Sequence, residues 1–409
     1  MRLRARWVST ALLLLVPLAA GAVSADAQAV PGRRALPVAR SADAVPGQYI
    51  VTLKPAYSPA AVLRQLRLTP LFTYESALRG FAAVLSPAQL RTVRTLPAVR
   101  AVEENARVAL DLPRFVRRAA KAPEAERARS TRSAVVAESW GLDRIDQRYL
   151  PLDNQFNVNG TGRGVTAYIV DTGIETAHSE FGGRATVGYD AVGDGHDGQD
   201  CNFHGTHVAG TTGGATHGVA RSVSLVSVRV LNCEAKGSLA GIIAGFDWVA
   251  GHARRPAVLN ASVGGPVSQA LDTAADAVAE SGVLPVVAAG NDSKDACDIS
   301  PARAESVVTV GATDTEDHEA HFSNFGRCLT TYAPGVAIVS AKLGGGFSTL
   351  NGTSMASPHV AGVAALYKEE HPEATPDEVA GWLAAHSTKG VVAPIGAGSP
   401  DRLLYTDGL

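Results

Sequence analysis

Gly352-Thr353-Ser354-Met355-Ala356-Ser357-Pro358-His359 sets one hydroxyl at the mouth of a run of small residues that reads as a helix. A serine oxygen attacks poorly at its own pKa. It needs a base within hydrogen-bond reach, a group that orients the base, and donors for the oxyanion that forms. Three other runs carry those parts: Val170-Asp171-Thr172-Gly173, His204-Gly205-Thr206-His207-Val208-Ala209-Gly210 and Ala288-Ala289-Gly290-Asn291. Asp171 follows an apolar strand-like run, so it falls at the carboxyl edge of a sheet, where open α/β folds bind ligands. A carboxylate there can hold an imidazole tautomer and stabilise imidazolium without taking its proton. Read alone, it is equally a turn or capping aspartate before Thr172-Gly173. His204 is the candidate base, and His207, one turn on, reads as a packed or capping histidine. Ser354 at a helix N-terminus gains backbone N–H groups that favour developing negative charge. Its own N–H and the Asn291 amide are the candidate oxyanion donors, although Asn291 is also a natural turn residue after Gly290.

In the order Asp, His, Ser, the four runs resemble the subtilisin-like serine proteases, most closely the secreted proteinase K and aqualysin branch. The resemblance implies a secreted endopeptidase that works through an acyl-enzyme on protein and peptide substrates. It implies that Ser262-Val263-Gly264-Gly265 is an edge that pairs with extended peptide and that Gly237-Ser238-Leu239 is the opposite rim. Backbone pairing of this kind makes little demand on substrate sequence. Ala288, Ala289 and Gly290 would then leave a roomy apolar pocket, so cleavage is expected after apolar or aromatic residues. The same small residues would also suit close strand packing.

Residue patterning agrees with that fold. Runs at 165–170, 223–231, 257–260, 283–288 and 307–311 read as buried strands without a polar alternate face, with helical stretches near 238–251, 268–281 and 353–368. This predicts an α/β domain over 138–409, a mainly parallel sheet covered by helices on both faces. Gly160-Thr161-Gly162-Arg163-Gly164 is no dinucleotide fingerprint, because its glycines precede the strand.

The N-terminal third is organised differently. Arg2, Arg4 and Arg6 precede an apolar run from Ala11 to Ala22 and then Ala25-Asp26-Ala27, the pattern of a secretory signal over 1–27. The run is too short for a membrane anchor. Residues 46–110 read strand, helix, strand, strand, helix, strand, a small α+β, ferredoxin-like plait. Ser58-Pro59 and Ser86-Pro87-Ala88-Gln89 mark the two helix starts. This unit resembles the inhibitory propeptide of the same family and is the expected intramolecular partner of the peptidase domain. Residues 111–137 lack core periodicity and read as a linker with the maturation cut at 129–137. Residues 28–132 carry 18 Lys+Arg against 7 Asp+Glu, whereas 133–409 carry 16 against 31. Two oppositely charged blocks attract each other. No basic-aromatic nucleic-acid motif accompanies the arginines, so the expectation is a self-inhibited monomer with neither nucleic acid nor membrane as partner.

Four cysteines in an exported chain should be paired, in one of three connectivities. The resemblance implies Cys201 with Cys233 and Cys297 with Cys328. A zinc site on Cys201, His204 and His207 is the competing reading, but it would consume the candidate base and lacks a second Cys pair. Asp143, Asp146, Gln147, Asp153 and Gln155 cluster as hard oxygen ligands suited to calcium. Trp140-Gly141-Leu142-Asp143-Arg144-Ile145-Asp146-Gln147 resembles a calcium-binding start in the aqualysin branch. A solvated acidic loop is the alternative. A second calcium site of that branch, near Pro301 and Val307, lacks its carboxylate because Thr330 stands there. Asp194, Asp197 and Asp200 form a further acidic loop. Two other functions would leave different marks: a catalytically silent binding protein would lack a triad member, and an esterase or lipase would carry a Gly-x-Ser-x-Gly elbow.

Overall fold

Two Ser-Pro pairs start the helices of the N-terminal part. Ser58 Oγ accepts from Ala61 N at the head of α1 (Pro59–Leu66), and Ser86 with Gln89 closes a reciprocal capping box on α2 (Pro87–Thr95). Proline fits the first helical position because its missing N–H would have no partner there. Strands β1 (Ala44–Leu53), β2 (Pro70–Tyr74), β3 (Gly80–Val84) and β4 (Val99–Ala109) form an antiparallel sheet in the order β4-β1-β3-β2. One face buries Val51, Phe81, Ala83 and Val102 with residues of α1 and α2. The other sends Ile50, Tyr74, Ala82, Ala106 and Val108 into the core of the next part, which stabilises a plait too small to bury much core of its own.

The structure, a computed structural model, describes residues 35–110 and 135–409. The signal segment and residues 111–134, which hold most of the linker and the start of the maturation stretch, lie outside the described residues. From residue 135 onward the elements used below are α3 (Trp140–Ile145), β5 (Thr166–Asp171), β6 (Ala185–Asp190), α4 (His204–Gly213), β7 (Ser224–Arg229), β8 (Lys236–Ser238), α5 (Leu239–His252) and β9 (Ala257–Ala261). They continue with α6 (Gln269–Glu280), β10 (Val283–Ala288), β11 (Val308–Thr313), β12 (Thr331–Pro334), α7 (Thr353–Glu370) and α8 (Pro376–His386).

Seven of these strands form one parallel sheet in the order β12-β11-β10-β9-β5-β7-β6. Side chains alternate between its faces. Tyr168 and Val170 of β5 join the core that holds α5 and α6, whereas Ala167 and Ile169 join the core that holds α4, α7 and α8. Burial on both sides explains the continuous apolar runs. From β5 the chain first lays down β6 at the sheet edge, then β7 between β5 and β6, and then builds β9, β10, β11 and β12 on the other side. The carboxyl ends of β5 and β9 therefore flank the switch point of the sheet, where such folds place their ligands. Both expected disulfides are present, Cys201–Cys233 and Cys297–Cys328.

The two parts are joined through β4. Arg107, Val108 and Ala109 pair antiparallel with Ser238, Gly237 and Lys236 of β8, and Leu110 N donates to Ala235 O. Two residues upstream on the same strand reach helix starts. Asn105 Oδ1 accepts from Ala240 N at 2.9 Å at the head of α5. Glu103 accepts from Ser268 Oγ at 2.8 Å and Ala270 N at 2.9 Å at the head of α6. In return, Asp247 of α5 accepts from the backbone N–H groups of Glu75, Ser76 and Ala77. Helix N-termini have spare donors and favour negative charge, so these caps suit their sites.

Burial raises the pKa of Glu103 despite its two donors. Asp272, in the first turn of α6, is pushed up to about 6 by burial, aided by the charges of Asp276 and Glu103 and opposed by Ser300 and Arg303. A carboxyl whose pKa is raised on folding contributes stability that is complete below its unfolded value and is lost as pH climbs through the folded one. Asp272→Asn removes that dependence. The parent, relative to the variant, is expected to lose on the order of 1–3 kcal/mol of stability between pH 4 and pH 7. Denaturant unfolding of both full-length chains checks this, and a difference constant with pH contradicts it.

Candidate active site

Asp171 closes β5 and His204 opens α4, and both side chains are fully buried. Asp171 Oδ1 lies 2.7 Å from His204 Nδ1 and also accepts from Thr172 N at 2.7 Å. With a carboxylate on Nδ1, the neutral ring carries its proton there and turns Nε2 outward as the acceptor. His204 Nε2 is buried and has no hydrogen-bond partner. Two glycines permit this approach. A Cβ on Gly205 would lie 2.1 Å from Gly173 O, and Gly173, at φ +107°, leaves no room for one against Gln199 and Asp200. The Asp-Thr-Gly and His-Gly-Thr runs thus meet backbone to backbone.

Asp200, in the acidic loop of unassigned role, holds the head of α4. Its Oδ1 accepts from Thr172 Oγ1, Asn202 N and Phe203 N, and its Oδ2 accepts from Thr206 N and Thr206 Oγ1. Thr172 Oγ1 in turn accepts from Gly205 N. Phe203, just before the imidazole, sits at φ 127°, a strained backbone that needs such surroundings to persist. Asp194 is held by Arg229 instead, and His207 is packed, with Nε2 on Ile338 O and Ser348 O. Burial pushes the His207 pKa down to about 3, so it stays neutral.

Ser354 is the second residue of α7 and is nearly buried. Its Oγ donates to Ser262 O at 3.4 Å. Asn291 follows the strand β10 and the turn at Gly290. Its Oδ1 accepts from both Thr353 N and Thr353 Oγ1 at 2.9 Å, which fixes the amide beside the head of α7. The Asp171, His204, Ser354 and Asn291 side chains all come from carboxyl ends of parallel strands or from helix starts. A sheet with this topology brings such ends to one edge.

The two expected rims differ. Gly237 and Ser238 are paired in register with β4, and Leu239 shares a buried cluster with Val108. At the opposite rim Ser262, Val263 and Gly264 lie outside any strand, while Gly265-Pro266 pairs with Ile299-Ser300. Gly265 packs against Val108, a Cβ there lying 2.9 Å from Val108 Cγ2, and the Ser262 hydroxyl turns inward to Ser354 O. A Cβ on Gly264 would meet Ile299 Cγ2 at 3.1 Å, whereas one on Gly290 would meet the Asn324 side-chain amide at 2.4 Å.

Residues 143–157 fold back as one loop. Asp143 accepts from Asp153 N and Asn154 N, Asp146 from Asn157 N, and Asp153 from Gln155 N. Burial, with the charges of Asp143 and Asp153, raises the Asp146 pKa to about 6, and its Oδ1 is buried without a partner. Gln147 donates through Nε2 to Tyr149 O and Pro151 O, and Gln155 Nε2 donates to Asp153 Oδ2. An orphaned oxygen on Asp146, beside the charges of Asp143 and Asp153, fits a hard cation, although the three carboxylates do not converge within 4.8 Å of one another. Zinc finds no such fit. Among the described residues the one close group of His, Cys, Asp and Glu ligand atoms is Asp194, His196, Cys201 and Cys233, and its sulfurs are bonded to each other. At the doubtful second site, Thr330 Oγ1 accepts from Thr309 N.

Comparison with known proteins extends the geometry. The subtilase family model matches residues 162–399, and the peptidase inhibitor I9 model matches residues 64–111. An extracellular serine proteinase of Thermus sp. is 45% identical over 93% of this chain and 90% of its own length. The alkaline serine exoprotease A of Vibrio alginolyticus is 47% identical over 81% of this chain, which spans only 59% of that protein. A crystal structure of a cold adapted subtilisin-like serine proteinase superimposes with a TM-score of 0.64 at 52% identity, covering 65% of this chain and 97% of the other.

The cage around the imidazole generates a test. Asp200→Ala frees the head of α4 without touching Asp171, His204 or Ser354, and misplacement of a catalytic group by about 1 Å costs roughly 100-fold. Hydrolysis of a peptide amide, measured as kcat/KM, is expected to fall by about that factor. Parental kinetics in this variant contradict the role given to Asp200.

Proposed function

This chain belongs to the subtilase family of serine peptidases, and from that membership we propose that it is a secreted endopeptidase made as a self-inhibited precursor. The observation that carries the catalytic reading is the buried pair of Asp171 and His204 at 2.7 Å, with Ser354 at the head of α7. His204 Nε2 takes the Ser354 proton as Oγ attacks the peptide carbonyl, and Asp171 stabilises the imidazolium that results. The Ser354 N–H and the Asn291 amide stabilise the oxyanion; such a donor is worth about 3–4 kcal/mol in the transition state. The imidazolium then protonates the leaving amine as the C–N bond breaks, and water, activated by the same ring, hydrolyses the acyl-enzyme. Attachment of the Ser354 hydroxyl to Ser262 O rather than to His204 is compatible with this, because catalytic hydrogen bonds often tighten only with substrate bound.

Residues 46–110 act as the inhibitor, with β4 lying along the Gly237-Ser238-Leu239 rim as a substrate strand would. Cleavage within 111–137 separates the two parts. The small Ala288, Ala289 and Gly290 favour apolar or aromatic residues before the scissile bond. Export rests on the basic and apolar N-terminal sequence. Among the described residues no helix is long and apolar enough to cross a membrane. Asp143, Asp146, Asp153 and the amide oxygens of Gln147 and Gln155 hold a calcium ion that locks their loop and takes no part in the chemistry.

Ser354→Ala is expected to abolish casein hydrolysis by several orders of magnitude and to leave the precursor uncut, and parental activity would refute the assignment. N-terminal sequencing of the secreted parent should find the new terminus within 129–137. Cuts dominated by Arg or Lys in a peptide library would contradict the pocket. Chelator should lower the Tm of the parent but not that of Asp146→Asn; equal melting of the parent with and without chelator removes the calcium site.

A further inference from the structure

Four residues after Ser354 the helix α7 contains Pro358. In an α-helix each carbonyl is bonded by the N–H four residues on, and proline has none. The carbonyl of Ser354 therefore loses its regular donor inside a helix whose first turns are buried. A buried carbonyl left unpaired is costly. Ser262, just past the end of β9, supplies the missing bond: its Oγ donates to Ser354 O at 2.9 Å. Asn260 steers that hydroxyl. Its Nδ2 donates to Ser262 Oγ at 3.0 Å, and its Oδ1 accepts from Ser357 Oγ at 2.5 Å. Asn260 and Ser357 are fully buried, and Ser262 nearly so. The chain of bonds leaves α7 at Ser357, crosses to β9, and returns to α7 at Ser354.

We propose that Ser262, oriented by Asn260, is a positioning residue that clamps the main chain of Ser354 through the carbonyl that Pro358 leaves unpaired. The consequence is steric and angular. With its carbonyl bonded sideways to the strand, the residue that carries Oγ is fixed against the carboxyl edge of the sheet, on the same edge as Asp171. The Ser262 carbonyl meanwhile holds the resting Oγ, so a single strand-end residue governs both atoms of the nucleophile's position. Substrate contact, the role first expected for Ser262, is left to its main chain.

The inference rests on Ser354 being the nucleophile, and a variant pair separates the two. In protein matured from the full chain, Ser262→Ala is expected to lower kcat for a small peptide amide about tenfold with KM unchanged, since orientation rather than binding is lost. Pro358→Ala restores an N–H in register with Ser354 O. Added to Ser262→Ala, it is expected to bring kcat back to within about threefold of Pro358→Ala alone. A packing defect at position 262 would not be repaired by a change across the helix. Parental kcat in Ser262→Ala overturns the clamp, as does an equal loss of kcat in both backgrounds. If Ser354→Ala retains turnover, the nucleophile assignment falls and the clamp with it. If Ser354→Ala is inactive while Ser262→Ala is normal, the clamp alone falls. Thermal unfolding of each variant distinguishes slower chemistry from a smaller folded fraction.

Discussion

A carboxylate and an imidazole 2.7 Å apart, with neither side chain exposed to solvent, constrain everything around them. Burying an ionised Asp without water is costly unless donors surround it. Here the backbone N–H of Thr172 and the ring of His204 serve Oδ1, while Oδ2 is buried without a partner. The pair exists because two chain segments approach to glycine distance at Gly173 and Gly205 and because Asp200 binds the turn before His204 from five donors. The long parallel sheet is the frame that makes this approach reproducible, since β5 ends at Asp171 while its neighbours in the sheet and α4 and α7 are packed on one continuous core.

The N-terminal plait engages that frame by borrowing its unsatisfied groups. β4 adds a strand beside β8, and Glu103 and Asn105 cap the two helices that follow the rims. Each contact uses main-chain donors that the second part would otherwise expose to water. These polar contacts use backbone geometry, beside an apolar face of Ile50, Tyr74, Ala82, Ala106 and Val108 that enters the core of the second part.

Sequence reading reached the elements whose chemistry fixes residue identity. Asp171, His204, Ser354 and Asn291 were legible as a candidate site because few residue types suit the proposed chemistry, and α1 and α2 because serine caps followed by proline are local signals. Strand β6 escaped notice because an edge strand mixes exposed and buried positions, and β12 because it is four residues long. Helix α8 did carry a readable signal, the Thr375 and Glu378 capping box behind Pro376. The inward turn of the Ser262 hydroxyl could not be foreseen, since its partner is 92 positions away. Asp200 looked like one acid among three, and only the fold reveals which of them faces inward.

The central claim is that one alcohol, at the head of α7, is activated by the buried acid and imidazole. The most direct measurement is peptide mapping by mass spectrometry after treating the matured protein with a serine-directed phosphonate. The account predicts a single adduct, on the fragment bearing Ser354, formed in step with loss of hydrolysis and absent after His204→Ala. An adduct on another serine, or hydrolysis that continues once Ser354 is fully modified, would contradict it.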